Sequence, residues 1–377
     1  VMFRLNTVGF DESLAFSGRG AEKNNFLMNL FLQNEEEDKR LKELYKLNPT
    51  AFEKEIAHTK KRLLTDLDEF IISEKPSEAF IHIALANINY NYYSRKELYL
   101  SSKKRANNNN KIKYPENFFT YRDSLDLNDN TLKNYYTYHQ FINRYLDNLA
   151  YQGHTKKEPT FNKISYWHQT QKLRLIDSLI TNKQLHDNLL HNTVKRYLVH
   201  ADDSQKEHDL VVLFKNLDHN EAHQKEVERY AYNTSKINAG ELIPNLALIT
   251  VNNEITSLQK INDSKTVFFF WDTKSVKHYK EIHVRISDLK TKYPEYNFVG
   301  INTGTDFSAW NQTVISSGYN QANEYQLKNS IAAKNTLFIN SANKAMIVDK
   351  GGIILEGNSN LFNQNFESLL LGYLNKK

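Results

Sequence analysis

The hydrophobic pattern of this chain changes its period at about Gly240, and that change limits the folds open to it. Before Gly240 apolar residues recur at helical spacing, as in Phe52, Ile56, Leu63, Leu67 and Phe70, then Phe80, Ala84, Ile88 and Tyr92, then Tyr138, Ile142, Tyr145 and Leu149. Breaks at Pro49, at Lys75 and Pro76, at residues 107–115 and at residues 153–159 cut the region into helices of ordinary length. No 34-residue repeat runs through it, so residues 21–237 read as an irregular helical bundle rather than a repeat array. Residues 2–5 and 14–16 read as two short strands ending at Gly18 and Gly20. A pair this small is expected to belong to a sheet completed by an upstream segment or another chain.

After Gly240 short strands alternate with helices. Residues 246–251 and 254–258 read as a hairpin across Asn252 and Asn253, followed by a fully apolar strand at residues 266–271. A helix carrying Tyr279, Ile282, Ile286, Leu289 and Tyr293 on one stripe is stopped by Pro294. A strand at 296–301 comes next, then helical material at 306–330 and strands at 336–340, 344–349 and 353–356, the last two turned by Gly351 and Gly352. A final helix carries Phe366, Leu369, Leu370 and Tyr373. This order predicts an α+β multidomain protein: a mostly helical region, then an α/β domain with a mixed sheet and helices on both faces. With 377 residues, 40% of them hydrophobic, two or three domains are expected, divided as 1–20, 21–237 and 238–377.

The sequence contains no cysteine, which removes disulfides, thiolate metal ligands and cysteine nucleophiles together. Its 49 Lys and Arg against 44 Asp and Glu leave a net charge of +5, unlike the concentrated positive field of a nucleic-acid binder, so no nucleic-acid partner is expected. No apolar run is long enough to cross a bilayer, and the first twenty residues lack the segments of a signal peptide. The chain begins at Val1 rather than Met, which reads as a processed or trimmed chain with targeting information, or a lipid anchor, upstream. Nothing in the sequence calls for a cofactor.

The stretches Gly240-Glu-Leu-Ile-Pro244-Asn-Leu-Ala-Leu, Ile255-Thr-Ser-Leu258, Val267-Phe-Phe-Phe-Trp271-Asp-Thr273 and Lys280-Glu281-Ile282 are similar to the envelope thiol-disulfide oxidoreductases of the TlpA and ResA type, relatives of the AhpC/TSA group. The resemblance spans residues 238–377. Upstream, Leu14-Ala-Phe-Ser-Gly18-Arg-Gly-Ala-Glu-Lys-Asn24 and Tyr114-Pro-Glu-Asn-Phe resemble the helical region that precedes such domains in envelope lipoproteins. The resemblance implies a thioredoxin-like carboxy-terminal domain whose Phe-Trp strand should run into Cys-x-x-Cys at a helix start. Ser275 and His278 stand at those positions, and a serine hydroxyl cannot exchange with disulfides. Asn343 falls where the family carries a cis-proline, and no proline follows Pro294. What the resemblance implies is a degenerate member with no catalytic residue: an exported protein of the periplasm or outer membrane, scaffolding a protein partner. Its expected binding face is the old redox face of Trp271, Asp272, Ser275, His278 and Asn343. The alternative is an enzyme with residual or replaced activity at Ser275 and His278.

Other constellations read more plainly. Ser275 and His278 share a helix face as a nucleophile and base would, but there is no nucleophile elbow or orienting acid, so a solvated helix cap is the expectation. His219 and His223 have the four-residue spacing of a shared metal on a predicted helix, with Asp218, His208 or Glu226 in reach. The acid of His-Glu-x-x-His is one position late, and a polar helix face without metal is expected. Lys103, Lys104, Arg105, Lys111 and Lys113 around four Asn at 101–113 read as a solvated loop between helices. Tyr90, Tyr92, Tyr93, Tyr135, Tyr136 and Tyr138 are expected mostly to pack the bundle, with some open to an interface. Asp123-Ser124-Leu125 and Asp177-Ser178-Leu179 resemble a bacterial O-glycosylation sequon.

Overall fold

The long helices start and stop where local chemistry dictates. In the helix Pro49–Glu74 the Asn48 side chain accepts the Ala51 N–H at 2.9 Å, Pro49 occupies the first turn, and Lys75 ends it in the left-handed region at φ 44°. The computed structural model describes all residues except 1, 5, 7–12, 106–111, 155–156, 202 and 376–377, and the side chain of residue 154. Lys111 and the four Asn of the basic segment therefore lie outside the described residues, as do Val1 and Leu5.

Two compact units divide at residue 193, Val1–Thr193 and Val194–Lys377. In the first, strands β1 (Met2–Arg4) and β2 (Ala15–Ser17) pair antiparallel with Phe3 opposite Phe16. The Asn25 amide accepts from the Phe16 N–H at 2.8 Å and donates to its carbonyl at 3.0 Å, so α1 (Ala21–Lys39) closes one edge of this small sheet. Helices α2 (Pro49–Glu74), α3 (Glu78–Arg105), α4 (Tyr136–His154) and α5 (Tyr166–Leu179) follow, and α6 (Lys183–Leu198) contains the division at residue 193. The stripe seen in the sequence is the core: Leu63 and Leu67 pack with Phe80, Ala84 and Ile88, while Phe52 and Ile56 pack with Tyr99 and Phe118.

Residues 101–105 continue α3 rather than forming a loop, and their cations are used inside the unit. Lys103 Nζ donates to the Leu47 carbonyl at 3.1 Å and Lys104 Nζ to Asn148 Oδ1 at 3.0 Å. Of the tyrosine cluster, Tyr138 is buried against Tyr90, whereas Tyr136 is 72% exposed.

The second unit is organised by a seven-stranded mixed sheet in the order β4-β3-β7-β6-β5-β8-β9. Its strands are β3 (Ala247–Ile249), β4 (Ile255–Ser257), β5 (Thr266–Trp271), β6 (Asn297–Asn302), β7 (Glu324–Leu327), β8 (Lys344–Val348) and β9 (Ile354–Asn360). β5, β6 and β7 run parallel, and the remaining pairs are antiparallel. Every residue of β5 is buried, as its unbroken apolar run requires of a strand covered on both faces. Val267, Phe269 and Trp271 face helices α9 (Val276–Lys292), α10 (Phe307–Ser316) and α12 (Phe366–Asn375). Phe268 and Phe270 face the opposite cluster, which includes Ala333 of α11 (Ser330–Thr336) and is flanked by Tyr230 of α8 (Glu221–Ser235). A parallel β-α-β pair at the centre, an antiparallel hairpin beside it and helices on both faces make the thioredoxin-like arrangement.

Three sequence readings differ from this. The compact units place α7 (Ser204–Leu217) and α8 with the sheet, where the ring of Tyr230 meets Phe338 edge-on at 4.5 Å, whereas the sequence division put them in the helical region. Residues 324–327, expected within helical material, are strand β7, because pairing with β6 outweighs the polar character of Glu-Tyr-Gln. Residues 336–340, expected as a strand, end α11 and turn back with Phe338 at φ 52°. Leu337 and Phe338 are buried all the same and Ile339 partly so, and a short apolar run does not tell a strand from a buried turn.

Candidate functional site

The end of β5 and the start of α9 bring together most of the residues expected at the old redox face. The Asp272 carboxylate accepts the Lys274 N–H at 3.0 Å, and its carbonyl accepts the Ser275 N–H at 3.0 Å, which forms the tight turn into α9. Ser275 is the N-cap residue, but its hydroxyl makes no capping bond, so the solvated cap expected from the sequence is only half realised. His278 lies in the first turn, and its Nε2 sits 3.0 Å from Asn343 Oδ1 at the entry to β8. The two residues read from the sequence as standing at the second redox position and at the facing proline are thus joined by a side-chain hydrogen bond. No cis peptide bond occurs among the described residues.

A cavity of about 250 Å³ opens here, lined among others by Phe270, Asp272, Ser275, His278, Lys334 and Asn340. Asp272 and Lys334 give it one charge of each sign. No hydrogen bond joins Ser275 to His278 among the described residues. The imidazole's partner is an amide and not an acid, so the pair lacks the contacts of a nucleophile and its base. Trp271 also lines this cavity, but its side chain packs with the cluster on the α9 side. It is 1% exposed, and its Nε1 donates to Glu324 Oε2 at 3.0 Å on the α9 side of the sheet. Lys334 and Asn340, which the sequence reading missed, come from the end of α11 and the loop after it. No motif marks them.

Beside Asn343, Lys344 is 1% exposed, with its Nζ 3.0 Å from Asn358 Oδ1, and burial pushes its ammonium from the usual 10.5 down to about 7. The unfolded chain holds this proton up to its ordinary value while the folded chain releases it early. Stability is therefore expected to rise with pH from about 7 towards 10.5 and to be free of this slope below 7. Lys344→Met should flatten that rise and lift the thermal midpoint at pH 7, at roughly 2–4 °C per kcal/mol recovered. Melting curves at several pH values check this, and an unchanged slope in the variant would remove Lys344 as its source.

The two histidines considered as metal ligands do not share a helix. α7 ends at Leu217 and α8 begins at Glu221, which leaves His219 exposed in the link, and His223 Nδ1 pairs with buried Asp218 at 3.0 Å. The two aspartates of the sequon-like triplets, Asp123 and Asp177, both lie in the first unit.

No family model matches the chain, and no curated protein does. Solved thioredoxin-like proteins are similar to it in structure. A thioredoxin-like protein from Bacteroides caccae aligns over 62% of this chain and 92% of its own, at 12% identity and a TM-score of 0.35. The thioredoxin domain of a thiol-disulfide oxidoreductase from Bacteroides vulgatus aligns over 36% of this chain and 98% of its own, at 16% identity and a TM-score of 0.29.

Proposed function

We propose that this chain is a cysteine-less relative of the envelope thiol-disulfide oxidoreductases that binds or scaffolds a protein partner without catalysing thiol exchange. The observation carrying this reading is the fate of the redox positions. Ser275 supplies no thiolate, and His278 is committed to Asn343, so the face keeps its shape and its cavity without a nucleophile. Asp272, Ser275, His278 and Asn343, with the backbone of Trp271, form the binding face, and an extended segment of the partner is its occupant. Residues 238–377 are the thioredoxin-like domain proper, and α7 and α8 are an added helical layer. The protein acts as a lipoprotein or as a subunit of a periplasmic or outer-membrane-associated assembly.

Two measurements test this. An insulin-reduction assay is expected to show no acceleration over the uncatalysed rate, and measurable turnover would overturn the non-catalytic reading. A photo-crosslinking residue at Ser275 should give one discrete protein adduct in intact envelopes, while the same residue at Ile315, 57% exposed on α10, should give none. Recovery of unlinked monomer alone from the Ser275 position would count against a partner at this face.

A further inference from the structure

A second cavity, of about 570 Å³, lies on another face of α9. His283 stands five residues beyond His278, roughly 140° around the helix by its 3.6-residue turn, so the two histidines serve different surfaces. The cavity's floor is apolar, made by Phe269 and Phe298, and Tyr319 closes one wall by stacking flat on the His283 ring at 3.7 Å. Gly318, at φ 66° just after α10, turns the chain to put Tyr319 there.

A carboxyl group is buried in this wall. Glu324 reaches across β6 because its partner in register is Gly300, where a Cβ would lie 2.3 Å from the carboxylate. Glu324 receives Trp271 Nε1 at 3.0 Å and lies 3.1 Å from His283 Nε2, while His283 Nδ1 lies 2.6 Å from the Tyr279 carbonyl. A carbonyl only accepts, so Nδ1 carries a proton, and the remaining short contact between Nε2 and Oε1 holds one more proton between them. The pair is therefore neutral overall and offers no net negative charge to a ligand. What remains charged at the mouth is Lys280 and Lys290, both exposed, and neither forms an ion pair among the described residues.

An apolar floor, a fixed polar wall, a volume in the range of small-molecule sites and a positive mouth define an occupant. We propose that this cavity binds an amphipathic organic carboxylate, with its apolar body against Phe269, Phe298 and Tyr319 and its carboxylate at the lysine-bearing mouth. This site is separate from the proposed partner-binding face and stands or falls without it.

Decanoate is the probe, and tryptophan fluorescence, with Trp271 bonded into the cavity wall, is the signal, confirmed by calorimetry. Saturable binding below millimolar concentration is expected, with the neutral analogue decanol about tenfold weaker. Lys280→Gln combined with Lys290→Gln should weaken decanoate about tenfold and leave decanol unchanged. Val284→Glu, at a side chain 64% exposed on the mouth, should abolish decanoate binding while leaving the far-ultraviolet spectrum of the fold intact. Equal affinities for decanoate and decanol, unchanged binding in either variant, or no saturable binding would overturn the proposal.

Discussion

Gly357→Ala is expected to destabilise the carboxy-terminal unit by about 3 kcal/mol or more, at the upper end of what overpacking a buried position costs. Gly357 lies within β9, and a Cβ there would fall 1.7 Å from the Ile237 carbonyl oxygen and 2.8 Å from its carbon. The obstacle is backbone, and it is pinned on both sides. Ile237 N–H donates to the Thr234 carbonyl at 3.0 Å, and the segment after it is tied to β9 by Gly240 N–H to the Ile354 carbonyl and Ile354 N–H to the Glu241 carbonyl, each at 2.8 Å. Neither chain can move aside without breaking these bonds. At roughly 2–4 °C per kcal/mol for a unit of this size, the thermal midpoint should fall by about 10 °C. Gly372→Ala, exposed within α12 with no atom near its Cβ, is the control and should be neutral or stabilising by up to ~1 kcal/mol. A Gly357→Ala midpoint within about 2 °C of the parent would show that the strand and the incoming segment do not meet this closely.

Nothing in the sequence marks Gly357, because its constraint comes from a chain segment 120 residues away. The same holds wherever a tertiary partner decides. The run at β5 was legible to the residue, since five consecutive apolar and mostly aromatic side chains after Thr266 suit a strand covered on both faces. β7 was not legible, because Glu324 and Gln326 are polar and became strand only by pairing with β6. The run Leu337, Phe338 and Ile339 was misread as a strand, since burial alone cannot separate a strand from a buried turn. The helices α7 and α8 carry ordinary amphipathic stripes, and a stripe does not say which unit it will pack on.

At the site, Ser275 and His278 were read by counting from Trp271 and Asn343 from the missing proline, and the structure brings His278 and Asn343 into contact. The direction of Trp271 was open to the same alternation that defines β5. Odd positions face α9, so the Trp271 side chain belongs with Val267 and Phe269, on the side of the sheet opposite Phe268 and Phe270. Lys334 and Asn340 reach the redox face only through the turn at Phe338, and the buried pairing of Glu324 with His283 depends on Gly300 lying beside it on β6.

Arg122→Met is expected to cost the amino-terminal unit ~3–5 kcal/mol, the range for stranding one member of a buried ion pair. Glu97, in the middle of α3, is fully buried among helix side chains. Arg122 grips both of its oxygens, with Nη2 at 2.7 and 2.8 Å and Nε at 3.0 Å, and Tyr121 Oη at 2.5 Å and Asn148 Nδ2 at 2.6 Å complete the set. The two remaining donors satisfy hydrogen-bonding capacity but carry no charge, so removing the guanidinium leaves a desolvated carboxylate facing dipoles alone. The loss should shrink in the double variant Glu97→Gln with Arg122→Met, where the pair is removed together. Chemical denaturation of the four members of this cycle measures the coupling. If Arg122→Met alone costs less than about 1 kcal/mol, the guanidinium and carboxylate are hydrated in solution and the buried pair does not exist as described.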